Sequence, residues 1–158
     1  MSERSSRRIN SGVLRCLLVM SMLAAVPAYA GIPDQMKQMI EQKRAEDAYQ
    51  LGLKHPELLG DVYFDYVFGT AAVDAGRPSV GVLALERVLL NNPNNNVARL
   101  ELARAYFVLG EYQRSREEFE DVKKRNPPPG AVVTIDQYLE AIKDKESATK
   151  ISGGVYAE

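Results

Sequence analysis

The stretch that decides the fold is FGTAAVDAGRPSVGVLALERVLLNNP, residues 68–93, because it recurs 34 positions later as LARAYFVLGEYQRSREEFEDVKKRNP, residues 102–127. Six positions are identical in both copies. They are Ala71, Gly76, Glu86, Val88, Asn92 and Pro93 in the first copy, and Ala105, Gly110, Glu120, Val122, Asn126 and Pro127 in the second. A repeat of this length is typical of an array of helix–turn–helix units.

The repeated glycines and prolines are residues that such a unit needs. Gly76 and Gly110 lie where the first helix of each unit should end, since glycine adopts the left-handed conformation of a helix end without steric cost. Pro93 and Pro127 lie where the second helix should end, because proline has no backbone donor. The pattern therefore predicts two helical hairpins.

Together with the small residues Gly69 and Ala103, these features resemble the tetratricopeptide repeat (TPR). The resemblance implies an all-α fold, a TPR-type helix–turn–helix solenoid of about two full repeats plus flanking capping helices. Two positions depart from the family pattern, with Asp65 and Arg99 where a large hydrophobic residue is usual.

Residues 1–30 are predicted to be a cleaved signal peptide. Four arginines precede an apolar run of eleven residues from Cys16 to Val26, and Ala28 to Ala30 form a small-x-small cleavage site. An uncleaved membrane anchor is the weaker alternative, because about 20 apolar residues are needed to span a bilayer. Cleavage would remove Cys16, the one cysteine of the chain, and with it any thiol chemistry.

The charge of the remaining chain argues against nucleic-acid binding. Residues 1–30 hold four of the 20 basic residues and one of the 21 acidic residues, which leaves 16 against 20. A net negative domain lacks the basic surface that phosphate binding requires.

Helical patterns flank the two repeats. Residues 33–53 carry apolar residues at helical spacing and predict one capping helix, a degenerate half-repeat. Residues 134–144 predict a second cap, with a capping box at Thr134 to Gln137 and an apolar stripe formed by Ile135, Tyr138, Leu139 and Ile142. The TPR-like helical domain is thus expected to span residues 31–145.

Residues 146–158 are expected to be a linker that leads into the first strand of a β-barrel. Their first part is polar and charged, and residues 151–158 alternate between apolar or small residues and polar or aromatic residues. A frayed tail is the alternative.

No catalytic, cofactor-binding or metal-binding motif is found. The sequence contains no Gly-rich phosphate loop, no His-Glu-x-x-His, no nucleophile elbow and no cysteine pair. We therefore predict that the protein is not an enzyme and uses no cofactor.

The TPR pattern places a candidate partner-binding groove on the inner face of the two first helices. It is lined by Tyr63, Tyr66, Thr70, Asp74, Val97, Leu100, Arg104 and Phe107. These residues do not form the Lys/Asn carboxylate clamp of chaperone-binding TPR domains. Arg104 among aromatic residues instead suggests an extended segment with an acidic group.

The chain as a whole is similar to the N-terminal portion of Slam-type outer-membrane proteins, the surface lipoprotein assembly modifiers. The similarity rests on Tyr66-x-x-Gly69 and on residues 75–77, 84–89, 98–106 and 127–128. It implies a periplasmic TPR domain, associated with the outer membrane and placed before a β-barrel, that helps cargo to reach the cell surface. The chain is expected to stop at the start of that barrel, as a truncated or split form.

Partners implied by the resemblance are a protein or peptide cargo in the envelope and an outer-membrane β-barrel, in cis or in trans, with no nucleic acid. Two alternatives stay open at this point. The protein could be a free periplasmic scaffold or adaptor for envelope complexes, or a TPR module of exopolysaccharide export. The sequence does not identify the cargo.

Overall fold

The computed structural model describes residues 31–154, with side chains described through Ala148. This part of the chain forms seven α-helices. They are α1 (Ile32–Glu41), α2 (Ala45–Leu53), α3 (Val62–Asp74), α4 (Pro78–Asn91), α5 (Asn96–Leu109), α6 (Tyr112–Lys124) and α7 (Pro129–Gly154), with a 3₁₀ turn at Pro56–Leu58. The predicted signal peptide lies outside the described residues.

The helices pack as three antiparallel pairs, α1 with α2, α3 with α4 and α5 with α6, and α7 covers the last pair. Each first helix also contacts the next first helix along the chain, α1 to α3 and α3 to α5. This is the predicted all-α solenoid, and the prediction of fold class is confirmed. No helix among residues 31–154 is long and apolar enough to cross a membrane.

The N-terminal cap is a complete helix pair, so the prediction of one helix over residues 33–53 was wrong. The chain turns at Lys43, which has a φ of 62°. The Lys43 amide donates to the Ile40 carbonyl and the Arg44 amide to the Met39 carbonyl, a Schellman motif that ends α1. Lysine occupies the position that is glycine in the other pairs, so the sequence pattern did not indicate a turn here.

The same motif ends the first helices of the other two pairs, as the sequence predicted. Gly76 has a φ of 76° and Gly110 a φ of 79°. The amides that follow them, those of Arg77 and Glu111, donate back to the carbonyls of Ala72 and Tyr106 at 2.8 and 2.9 Å. The three turns at Lys43, Gly76 and Gly110 thus have one geometry.

Helices α3 and α4 approach so closely that their crossing leaves no room for a side chain. A Cβ atom added at Gly81 would lie 2.4 Å from Val73 Cγ2 and 3.0 Å from the Gly69 carbonyl oxygen. The equivalent position in the next pair is Ser115, whose hydroxyl donates to the Ala103 carbonyl at 2.8 Å. The small residues therefore fix how close the helices of a pair can pack.

Three connected groups of buried side chains form the core, one at each level of the solenoid. The first centres on Met36, Phe64 and Phe68, the second on Leu85, Val88 and Leu102, and the third on Phe119, Ile135 and Ile142. The predicted apolar stripe of the last helix is confirmed, since Tyr138 and Leu139 pack against this third group.

An ion pair joins α3 to α4, and its charges are reversed in the next pair. Asp65, which is 1% exposed, accepts hydrogen bonds from Arg87 Nε and Nη2 at 2.9 and 2.7 Å. The residues 34 positions later are Arg99 and Asp121, whose Nε and Oδ2 atoms lie 3.2 Å apart. The two departures from the family pattern thus form equivalent ion pairs of opposite polarity.

The last helix differs from the prediction at both ends. It begins at Pro129, and Thr134 is inside it, donating to the Gly130 carbonyl instead of capping a helix. It continues to Gly154, so residues 146–154 are helical rather than a linker and strand. Lysine, glutamate and alanine, which indicated a linker by their polarity, are also strong helix formers. Residues 155–158 lie outside the described part of the chain.

Candidate functional site

The first helices lie side by side and are joined by side chains on one face. Tyr63 on α3 donates from its hydroxyl to Asp34 Oδ1 on α1 at 2.9 Å. Arg104 Nη1 on α5 donates to Asp74 Oδ1 on α3 at 2.6 Å. Further along, the rings of Phe107 on α5 and Tyr138 on α7 meet edge to face with centroids 5.2 Å apart. We call this face the groove; it is the face of α1, α3, α5 and α7 that carries these residues.

The predicted groove residues divide into an exposed group and a packed group. Tyr63 is 41% exposed and Val97 57% exposed, so both are accessible to a partner. Leu100 and Phe107 are half-buried against the third core group. The Thr70 hydroxyl is occupied within its own helix, where it donates to the Tyr66 carbonyl at 2.9 Å.

Tyr66 belongs both to the groove and to the core. It is half-buried and packs against the first and the second core groups. Burial raises the pKa of Tyr66, and the nearby Glu101 carboxylate raises it further. An alanine at Tyr66 would therefore disturb packing as well as binding, and Tyr63 is the cleaner probe of the groove.

Arg104 is engaged by two carboxylates. Besides Asp74, it contacts Glu101, to whose Oε2 atom its Nε and Nη2 atoms donate at 2.9 and 2.5 Å. Burial disfavours the charged form of Arg104, but the carboxylates of Glu101 and Asp74 outweigh burial and raise its pKa. The sequence analysis predicted that Arg104 binds an acidic group of a partner, and it did not account for these contacts.

Sequence reasoning missed three residues of the groove, Asp34, Glu101 and Tyr138. Glu101 could have been found, because it lies three positions before Arg104 on the same helix and such pairs form ion pairs. Asp34 and Tyr138 belong to the flanking helices, whose register against the repeats the sequence did not define. The groove therefore extends over four helices instead of two.

An open cleft of about 800 Å³ lies elsewhere, between the turn after α5 and the later part of α7. It is lined by residues that include Tyr112, Arg116 and Glu146. Arg116 and Glu146 form an ion pair with each other at this cleft.

The described residues do not bring together a metal-binding group. Between residues 31 and 154, no three histidine, cysteine, aspartate or glutamate side chains are placed to hold an ion. What the groove offers is ring surface, tyrosine hydroxyls and paired charges. This chemistry suits recognition of a polypeptide segment.

Residues 66–131 match the tetratricopeptide repeat family. Together with the helix pairs described above, this match shows a TPR-type solenoid fold. The fold is similar to that of the second TPR domain of human RPAP3, solved by NMR in complex with the HSP70 peptide SGPTIEEVD. That likeness has a TM-score of 0.60 at 16% identity, and it covers 71% of this chain and 92% of the human domain. At this identity it establishes the TPR fold alone.

The chain is also similar in sequence to the surface lipoprotein assembly modifier of Moraxella catarrhalis. The two are 28% identical over 88 residues, which are 56% of this chain and 18% of the Moraxella protein. This chain thus spans a small part of the length of its relative.

Proposed function

We propose that this TPR domain is a non-enzymatic protein-binding module of the bacterial periplasm, and that it holds an extended segment of a cargo protein during surface lipoprotein assembly. The observation that carries the proposal is the groove, in which side-chain contacts join α1, α3, α5 and α7 into one face with partly exposed aromatic rings. Stacked repeats form extended surfaces of this kind, and these are suited to elongated ligands.

The relatives support each half of the proposal separately. The human domain of similar fold holds a nine-residue peptide, which favours a peptide-sized ligand for this groove. The Moraxella relative bears the name of a surface lipoprotein assembly modifier, which favours lipoproteins as the cargo. An N-terminal signal peptide over residues 1–30 would place the domain in the periplasm, where it would act together with an outer-membrane β-barrel in cis or in trans.

Deleting the gene in its source bacterium tests the assembly role. We expect fewer lipoproteins to be accessible to protease on intact cells, with unchanged total amounts, and we expect the full chain to restore them. A chain carrying Tyr63→Ala should restore them less well, because Tyr63 presents exposed ring surface in the groove. Leu83→Ala is the matched control, since Leu83 is 60% exposed but lies on α4, a second helix.

Unchanged protease accessibility of every lipoprotein after the deletion would contradict the assembly role. Equal rescue by the Tyr63→Ala chain and the wild-type chain would instead contradict the use of Tyr63 in cargo binding.

A further inference from the structure

The charges of the groove define the class of segment that it can hold. Arg104 is its central cation. Its two hydrogen bonds to Glu101 both end on Oε2, and its hydrogen bond to Asp74 ends on Oδ1. Glu101 Oε1 and Asp74 Oδ2 receive no hydrogen bond from Arg104. Two carboxylates around one guanidinium leave a local charge of about −1, and all three side chains are between 23% and 32% exposed.

The remaining charged residues of the first helices also sum to a negative charge. Asp65 and Arg99 pair with the second helices and can be set aside. Among the other charged residues of α1, α3 and α5, the carboxylates are Asp34, Glu41, Asp74 and Glu101, and the cations are Lys37 and Arg104. Apart from the two residues paired with second helices, α1, α3 and α5 therefore carry a net negative charge.

Aromatic rings lie beside these carboxylates. Tyr63 hydrogen-bonds to Asp34, and burial together with the charges of Asp34 and Glu41 raises its pKa. Burial raises the pKa of Tyr66 most, the charge of Glu101 raises it further, and the charge of Arg104 lowers it. An ammonium or guanidinium group gains from a carboxylate through a charge-assisted hydrogen bond, and from an accessible ring face through cation–π attraction.

We infer that the groove accepts a lysine or arginine side chain of an extended segment, held by the oxygens of Glu101 and Asp74 that receive no hydrogen bond from Arg104. This inference rests on the proposed function and names its ligand class. The sequence analysis suggested a segment with an acidic group, and the inference replaces that group with a basic one. An acidic group reaching Arg104 would have to displace Glu101 or Asp74 and would then lie against the other carboxylate.

A randomised octapeptide library displayed on phage and selected on the full chain tests the inference. We expect the selected peptides to be enriched in lysine or arginine next to apolar residues. One selected sequence is then synthesised with lysine, glutamine or glutamate at the enriched position. In fluorescence anisotropy at low salt, we expect the lysine peptide to bind about tenfold more tightly than the glutamate peptide, a preference that salt should reduce.

The isosteric variant Glu101→Gln tests whether the preference for the lysine peptide arises in the groove. It should weaken binding of the lysine peptide by about fivefold and binding of the glutamine peptide by much less. Glu117→Gln is the matched control, because Glu117 is an exposed residue of α6 that already pairs with Gln113. This control should change neither affinity, and circular dichroism should show that both variants are folded.

The possible failures are distinguishable. Tighter binding of the glutamate peptide would overturn the inference on charge while supporting a peptide-binding groove. A lysine preference that Glu101→Gln leaves intact would overturn the placement of the cation. A selection that enriches no peptide sequence would contradict the proposed function and this inference together.

Discussion

An Asp65→Ala variant is expected to unfold about 10 °C below the wild type, which corresponds to a loss of about 3 kcal/mol in the free energy of unfolding. Asp65 is buried and accepts hydrogen bonds from the Gly60 amide and from two nitrogens of Arg87. Alanine would leave the Arg87 guanidinium without its partner. Thermal unfolding followed by circular dichroism measures the change, and Asp144→Ala, at an exposed position of α7, should stay within about 0.5 kcal/mol of wild type.

Exchanging the two charges should recover more than half of this loss. The third helix pair shows that the reversed order fits, since Arg99 occupies the position of Asp65 and pairs with Asp121 and Glu118. Asp65→Arg combined with Arg87→Asp should therefore be more stable than either single variant. A double variant no more stable than the singles would show that the two side chains are not coupled.

The reversed polarity also opposes incorrect pairing of the helices. If α6 replaced α4 as the hairpin partner of α3, Asp65 would face Asp121; if α4 replaced α6 as the hairpin partner of α5, Arg99 would face Arg87. Like charges at a buried contact are costly, so each first helix is directed to its own second helix.

A Gly81→Ala variant is expected to lose about 2 kcal/mol of unfolding free energy. Its methyl group would overlap Val73 Cγ2 at 2.4 Å and press on the Gly69 carbonyl, which forces α3 and α4 apart. This outweighs the gain of up to about 1 kcal/mol that alanine usually brings to a helix. Urea unfolding at one temperature measures the difference.

Gly130→Ala is the matched control, because Gly130 lies in the first turn of α7 with open space around its Cα atom. This variant should be neutral or slightly stabilising. Equal effects at Gly81 and Gly130 would contradict the close crossing.

The sequence predicted the fold well where repeated residues have a fixed geometric role. Gly76 and Gly110 adopt the left-handed turn expected of them, and the small residue Gly69 lies at a helix crossing. Prediction failed where a residue without that preference adopts the same geometry, as Lys43 does at the first turn. It also failed in α7, where charged helix formers were interpreted as a linker.

The groove could be predicted only in part. A repeat pattern places Tyr63 and Arg104 on the first helices, but contacts between residues about 30 positions apart, such as Tyr63 with Asp34 and Arg104 with Asp74, depend on how the pairs stack. Since these contacts decide whether Arg104 is available, the pattern of one repeat could not reveal the charge of the groove.

Site-specific photo-crosslinking in living cells tests binding through the groove most directly. The photoreactive residue p-benzoylphenylalanine replaces Tyr63 or Thr70 in the groove, and Leu83 or Glu117 on the second helices, in separate full-length chains. We predict adducts with exported lipoproteins at Tyr63 and Thr70 and none at Leu83 and Glu117. Adducts at Leu83 or Glu117, with none at Tyr63 and Thr70, would contradict the account.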